Sequence, residues 1–472
     1  MSVGPGPTLP PDVVARTLTP GVFEAPVIWQ GLLLVAAVVA YLLFKPLPKR
    51  RLDKIRPAMQ LSSKLVIVGV IASLAGVFWV NNYVGYVRTA HDLAIVMQRS
   101  SGFTEEAGDG LAAATTPQDN YIANAAAALA SAKNAGKAQS AGDDKHPRVT
   151  QVTISDPSRG IPVGRANVML PPGYDNPANA HTHYPVVYLL HGYPDGTADD
   201  WFTSGDALNT MQALLDDHVV QPMIIVAPDM TAEQPSIDWE CLNIPGGPQL
   251  EDYLVDKVVP TIDQQFRTVA DRNHRAIGGM SGGGYCTLNI GLQHLETFGS
   301  MLISLPYDDL GESASILAGR PDLVTANDPR LYIPKMNFSQ PVSAIIAVGE
   351  GAPTDVATGH RLADALAARN QKVALVLQPG MTHTWRAARA ALPYMLDFAN
   401  QNFNAPPSGV APTPPPASAN LPGMVAQQPQ FQLVPHPPAH GGSNPGSTHT
   451  GPHKGTTDHH TMRAAERLSR AA

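Results

Sequence analysis

The sequence predicts an α/β fold, a mostly parallel sheet with helices on both faces, preceded by two transmembrane helices. Three observations carry that prediction. Between about residues 148 and 403, strand-like apolar runs alternate with helix-like segments. Two long apolar stretches precede that region, and Pro-rich composition brackets the whole. Strands this continuously apolar, separated by helices, are those of a parallel sheet covered on both faces.

Taken in chain order, residues 1–26 are Pro-rich and read as a mobile N-terminal segment. Residues 27–86 read as a transmembrane hairpin: Val27 to Phe44 is VIWQGLLLVAAVVAYLLF and Leu65 to Val80 is LVIVGVIASLAGVFWV. With its flanks, each has the roughly 17–25 residues that cross a bilayer. Core helices of a soluble protein do not usually run apolar on all sides for this long. A cleaved signal peptide fits poorly, since the first 26 residues hold Arg16 and no basic leader. Lys45, Lys49, Arg50, Arg51, Lys54 and Arg56 lie between the stretches, against Asp53 alone. The positive-inside rule puts that loop in the cytoplasm and both termini outside. Trp29, Tyr41, Trp79, Tyr83 and Tyr86 suit the membrane interfaces. Residues 87–147 are Ala-rich and read as a spacer lifting the next domain off the membrane.

From 148 to 403 the pattern is globular. VTQVTISD and GRANVML alternate as an antiparallel edge hairpin would. Strands follow at 185–192, 223–229, 275–279, 300–306, 342–349 and 373–380, with helices at 206–218, 250–266, 283–294, 357–369 and 385–401. Residues 404–472 turn to Pro, Gly, Ser and His and read as a disordered tail. His436, His440, His449, His453, His459 and His460 are irregularly spaced there, which does not make a metal site. A net charge of −7, with no Lys/Arg cluster in the globular part, argues against nucleic acid as a partner. Cys241 and Cys286 would face an oxidising compartment in this topology, either bonded to each other or as two buried thiols.

The chemistry starts at Gly279-Met280-Ser281-Gly282-Gly283, which ends the strand at 275–279 and opens a helix. It fits a G-x-S-x-G nucleophile elbow, a sharp turn that exposes the serine hydroxyl and leaves no room for flanking side chains. Such a serine needs a base and a group that orients the base. Asp355 follows the strand at 342–349 and His383 follows the strand at 373–380, in the order Ser, acid, His. Loops after parallel strands share one sheet edge, so the three can meet. Glu350 is the alternative acid, and Asp308 and Asp309 are lesser rivals. Backbone N–H groups of Tyr193 and Gly282 are the candidate oxyanion donors. His191 reads as a turn residue, Asp229 and Asp238 as loop caps, Glu240 as a solvated charge near the pocket mouth, and His218, His274 and His294 as surface histidines. Trp385 either braces the histidine loop or packs in the core.

LLHGYPDG (189–196), GGMSGGG (278–284), NDPRLYIPK (327–335), VGEGAPTD (348–355) and GMTHTW (380–385) together resemble the Putative esterase family of α/β hydrolases. That family takes in esterase D-like enzymes, feruloyl esterases and antigen-85-type mycolyltransferases. The resemblance covers about residues 148–402 and implies the α/β-hydrolase fold. It looks especially close to the mycolyltransferase branch, whose Gly-x-Gly-x-Pro-x-acid loop maps the triad acid onto Asp355 rather than Glu350. Gly282 stands where that branch carries a larger residue, its members lack a membrane anchor, and no trehalose-binding residue can be matched. The resemblance therefore implies hydrolase chemistry and not a particular acceptor.

Together these readings describe a membrane-anchored, extracytoplasmic serine esterase needing no metal or organic cofactor. Its substrate would be an ester of a lipid or of the cell envelope. An envelope acyltransferase and a non-catalytic binding module are the alternatives.

Overall fold

The computed structural model describes residues 2–45, 57–97, 144–317 and 319–404. The chain opens with strand β1 (Gly4–Pro5) and helix α1 (Pro11–Thr17), followed by the long apolar helices α2 (Pro26–Phe44) and α3 (Pro57–Val84). Next come β2 (Arg148–Thr153), β3 (Arg165–Leu170), β4 (Val186–Leu190), α4 (Ala207–Asp216), β5 (Ile224–Pro228) and α5 (250–265). Then follow β6 (Arg275–Met280), α6 (Gly282–Gln293), β7 (Ser300–Ser304), α7 (Pro321–Ala326) and α8 (Pro329–Tyr332). The last elements are β8 (Ser343–Gly349), α9 (Pro353–Ala368), β9 (Lys372–Gln378) and α10 (Trp385–Phe403).

The nine strands among the described residues form one sheet in the order β1-β9-β8-β7-β6-β4-β5-β3-β2. β3 runs antiparallel to both β2 and β5, and the strands from β5 across to β1 are parallel. This is the α/β-hydrolase arrangement that the motif order implied, extended by β1 at one edge. Alternation along each strand splits the core in two. Val186, Tyr188 and Leu190 enter the cluster beneath α5, α6 and α9, while Val187 and Leu189 enter the cluster beneath α1, α4 and α10. Chain order jumps from β4 out to β5 and back across to β6, so the C-terminal ends of β4 and β6 flank a topological switch point. Open α/β sheets bind ligands at such points.

Residues 2–26, expected to be mobile, are instead docked. Gly4 and Pro5 pair with Ala374 and Leu375 of β9, and Leu9 and Val13 are buried against the α4 and α10 side of the core. An edge strand tolerates the prolines because one of its sides needs no donor. That vacancy on β9 was not visible in local composition.

α2 and α3 contain windows, Pro26–Phe44 and Ser62–Val84, that are long and apolar enough to cross a membrane, and only 6% of each window is buried. They are therefore not core helices of the domain. The basic residues Lys49 to Arg56, residues 98–143 of the expected spacer, and the tail with its histidines all lie outside the described residues. The described part of the supposed spacer does not lift the domain away. α3 ends at Val84, and by Tyr86 the chain is already bonded to the domain, with the Ser204 hydroxyl donating to the Tyr86 carbonyl at 2.8 Å.

Four buried charged side chains fasten this junction. Glu24 pairs with Arg88 and Arg389, and Arg88 also meets Asp206 at 2.6 Å. Burial pushes Arg389 below its ordinary range and raises Asp206, so the charges persist there because they neutralise one another. Removing one partner would leave a buried uncompensated charge, worth about 3–5 kcal/mol. Glu24→Ala should therefore lower the unfolding temperature of the full chain by on the order of 10 °C. A thermal scan indistinguishable from wild type would show the network contributes little.

Candidate active site

The site is built around the turn from β6 into α6. Ser281 caps α6 with φ 55° and ψ −118°, a conformation that side-chain-bearing residues rarely adopt. The turn is tight enough to demand glycine around it. A Cβ on Gly279 would lie 2.2 Å from the Gly283 carbonyl oxygen, and one on Gly283 would lie 2.3 Å from that of Leu190. The first turn of α6 is thus pressed onto the end of β4. The Ser281 N–H donates to the Ser304 carbonyl at 3.0 Å, fixing the turn to β7.

Two further loops arrive at the same edge. Asp355 stands in the first turn of α9, after β8, and His383 follows β9 just before α10. The loops are pinned together, with the Gly351 N–H donating to the Met381 carbonyl at 2.8 Å and no room for a side chain on Gly349. The outcome is a continuous hydrogen-bonded chain. His383 Nδ1 lies 2.6 Å from Asp355 Oδ2, and His383 Nε2 lies 2.9 Å from Ser281 Oγ. A carboxylate only accepts, so Nδ1 carries the proton and Nε2 is left to accept from the serine hydroxyl. Asp355 and His383 retain 14% and 23% side-chain exposure, so the site is sheltered but open to a substrate.

Beside Ser281 lies a cavity of about 310 Å³ lined by Tyr193, Asp238, Glu240, Gly282, Tyr307, Asp309, Leu310, Gly311 and Ser313. A Cβ on Gly282 would sit 3.6 Å from the Tyr193 nitrogen, so the two candidate donors are neighbours. Gly282 is the first residue of α6, where a backbone N–H has no intrahelical partner and the helix dipole favours negative charge.

The other sequence candidates separate clearly. Glu350 is exposed and, among the described residues, engages through its backbone alone, donating to the Gln378 carbonyl. Asp308 is bound by Arg361, and Asp309 pairs with Arg330 at the cavity rim. His191 accepts from the Met230 N–H through Nε2 and is structural. Asp229 caps Thr231. His218 is exposed and His274 is partly so, but His294 is half-buried against Glu251 at 2.8 Å and is no simple surface histidine. Trp385 packs edge-on against Trp201 with ring centroids 5.3 Å apart, serving the core next to the histidine loop.

Glu240 corrects the sequence reading most. It is not a solvated charge but 4% exposed in the cavity wall, accepting from the Tyr307 hydroxyl at 2.5 Å. Asp238 also belongs to that wall and not merely to a loop cap. Glu240 and Cys241 both have positive φ, and Cys241 is disulfide-bonded to Cys286 of α6, with Cα atoms 5.6 Å apart. The crosslink ties the wall to the helix that Ser281 caps. The sequence signal was present in a cysteine beside an acid and a second cysteine five residues after Ser281. Tyr307, stacked on Tyr285 at 5.3 Å, had no such signal.

Residues 164–396 match the family model described as Putative esterase. An endo-1,4-beta-xylanase/feruloyl esterase of Xylanibacter ruminicola is 35% identical over 159 residues, which are 33% of this chain and 21% of that protein. An esterase of Mycobacterium tuberculosis is 31% identical over 137 residues, 28% of this chain and 27% of that one. The chain thus spans well under half the length of these curated relatives. A ferulic acid esterase structure covers 54% of this chain and 99% of its own, at 22% identity and a TM-score of 0.47.

Burial, then the neighbouring Asp238, holds the Glu240 carboxyl well above its ordinary value of 4.5. A raised folded-state pKa contributes stability that is complete below the unfolded value and is lost as pH rises through the folded one. Glu240→Gln cannot ionise. Its unfolding temperature should fall less than that of wild type between about pH 5 and pH 8. Parallel curves would mean Glu240 is not buried as described.

Proposed function

We propose, from the match of residues 164–396 to the Putative esterase family model, that this chain is a membrane-anchored serine esterase with an extracytoplasmic site. The observation that carries the proposal is the unbroken Asp355–His383–Ser281 hydrogen-bond chain beneath an open cavity. In this reading Ser281 Oγ attacks the ester carbonyl carbon while His383 Nε2 takes its proton. The oxyanion that forms is held by the N–H groups of Tyr193 and Gly282. Collapse breaks the C–O bond, and His383 returns the proton to the departing alcohol, leaving an acyl-enzyme. Water repeats the sequence and releases the carboxylic acid, restoring Ser281. Asp355 keeps His383 in the working tautomer and stabilises its charged form.

The membrane part of the proposal draws support from two long apolar helices that the domain leaves almost wholly uncovered. The basic loop between them and the Cys241–Cys286 disulfide both favour a domain outside the cytoplasm. Anchoring directs the enzyme to esters of lipids or of the cell envelope. An idle hydrolase-like module would have no need to keep all three side chains in register.

The proposal is tested by reacting the full chain with a fluorophosphonate probe. Wild type should label and Ser281→Ala should not; a folded wild type that stays unlabelled would sink the assignment. Asp355→Asn should still bind substrate but lose about 10⁴-fold in kcat, as expected when the acid orienting a triad histidine is neutralised. Glu350→Gln should leave kcat close to wild type in the same assay.

A further inference from the structure

The outer end of α3 reaches the catalytic loop itself. The Tyr83 hydroxyl, one residue before the end of α3, lies 2.8 Å from the Thr382 hydroxyl, and Thr382 is the residue before His383. On the other side of His383, Arg386 in the first turn of α10 donates to the Asn82 carbonyl at 3.1 Å. The histidine is therefore bracketed in sequence by two contacts to consecutive residues of one apolar helix.

The junction is built rather than incidental. Asn81 accepts from the Val87 N–H and donates to the carbonyls of Phe23 and Val87, binding the start of α2 and the exit from α3 into one unit. Arg389 donates to the Gly85 and Ser204 carbonyls from a fully enclosed position. A Cβ on Gly85 would collide with Arg386 and with Glu24. No slack separates the helix from the domain.

The membrane geometry follows from this contact. The window Ser62–Val84 is 23 residues long, which spans about 34 Å as a helix and fills a hydrocarbon core of about 30 Å. Its end, with Trp79 and Tyr83 exposed, belongs in the interfacial layer that aromatic side chains favour. That layer is roughly 5–8 Å thick. The loop bonded to Tyr83 lies at its surface, and the Ser281 hydroxyl is one residue and one hydrogen bond further on.

We propose that the end of α3 is a positioning element of the active site: Tyr83 and Asn82 hold the His383 loop and fix the Ser281 cavity at the bilayer surface, so that the enzyme takes esters whose acyl chains remain in the outer leaflet. The proposal rests on the membrane-anchored esterase reading and adds where the ester carbonyl is met. Tyr83 acts through Thr382 and His383 and does not touch substrate. A free domain on a long tether would work on dissolved esters and would gain nothing from these contacts.

The test uses the full chain in phosphatidylcholine vesicles. The substrates are 4-methylumbelliferyl oleate dissolved in the bilayer and 4-methylumbelliferyl acetate in the water. Adding lipid at constant bulk oleate ester should slow its hydrolysis in proportion to its falling mole fraction in the bilayer. A rate set by bulk concentration alone would overturn the interfacial site. Tyr83→Phe should lower kcat for the acetate ester about three- to ten-fold, the scale of one hydrogen bond, with KM within about two-fold. Thr382→Val should match it, the double variant should be no worse than either single one, and Thr382→Ser should retain most of the rate. Wild-type kcat in Tyr83→Phe, or strictly additive losses in the pair, would overturn the positioning role. Undiminished hydrolysis by Ser281→Ala would instead overturn the esterase reading, a result separate from both.

Discussion

Everything at the catalytic edge depends on how closely α6 approaches the end of β4. Gly279 and Gly283 let two backbones meet where any Cβ would strike a carbonyl oxygen. That approach sets Ser281 in its unusual conformation and makes Gly282 a neighbour of Tyr193. The strain of a positive-φ serine, about 1–3 kcal/mol, is borne because the fully buried strands β4, β6 and β7 surround it. The same geometry sets the range within which His383 can reach. Small shifts at this turn would separate Ser281 Oγ from His383 Nε2, which are now 2.9 Å apart.

The second organising contact is the charged knot of Glu24, Arg88, Arg389 and Asp206. It lies where the start of α2, the exit from α3 and the first half of α10 converge. Because α10 begins two residues after His383, the same network borders the loop that carries His383. Burying four charges gives little net stability by itself, yet it is selective, since only the correct docking pairs all of them. The hairpin and the domain are therefore a single structural unit.

Much of this was legible in the sequence. Continuous apolar runs located the parallel strands within a residue or two, because burial on both faces leaves a strong local signal. The alternating runs before them located the β2–β3 hairpin, and the length of two apolar stretches located α2 and α3. Chain order selected Ser281, Asp355 and His383, since each follows a strand and all such loops share one edge. Glu240 was misjudged because its burial depends on Tyr307, a residue 67 positions away in sequence. Residues 2–26 were misjudged because what orders them is the unpaired edge of β9, some 370 residues downstream.

By itself, then, the sequence determined most of the segments that become strands and helices, which side chains are candidates for the chemistry, and that two long helices are predominantly apolar. These follow from local periodicity and composition. Only the tertiary structure set Asp355 rather than Glu350 against His383, joined Cys241 to Cys286, turned an acidic loop into a cavity wall, and brought Tyr83 to the residue beside His383. The physical reason is common to all four. Each is a contact between segments far apart in the chain, formed only after the sheet fixes where the segments lie, and no local pattern encodes it.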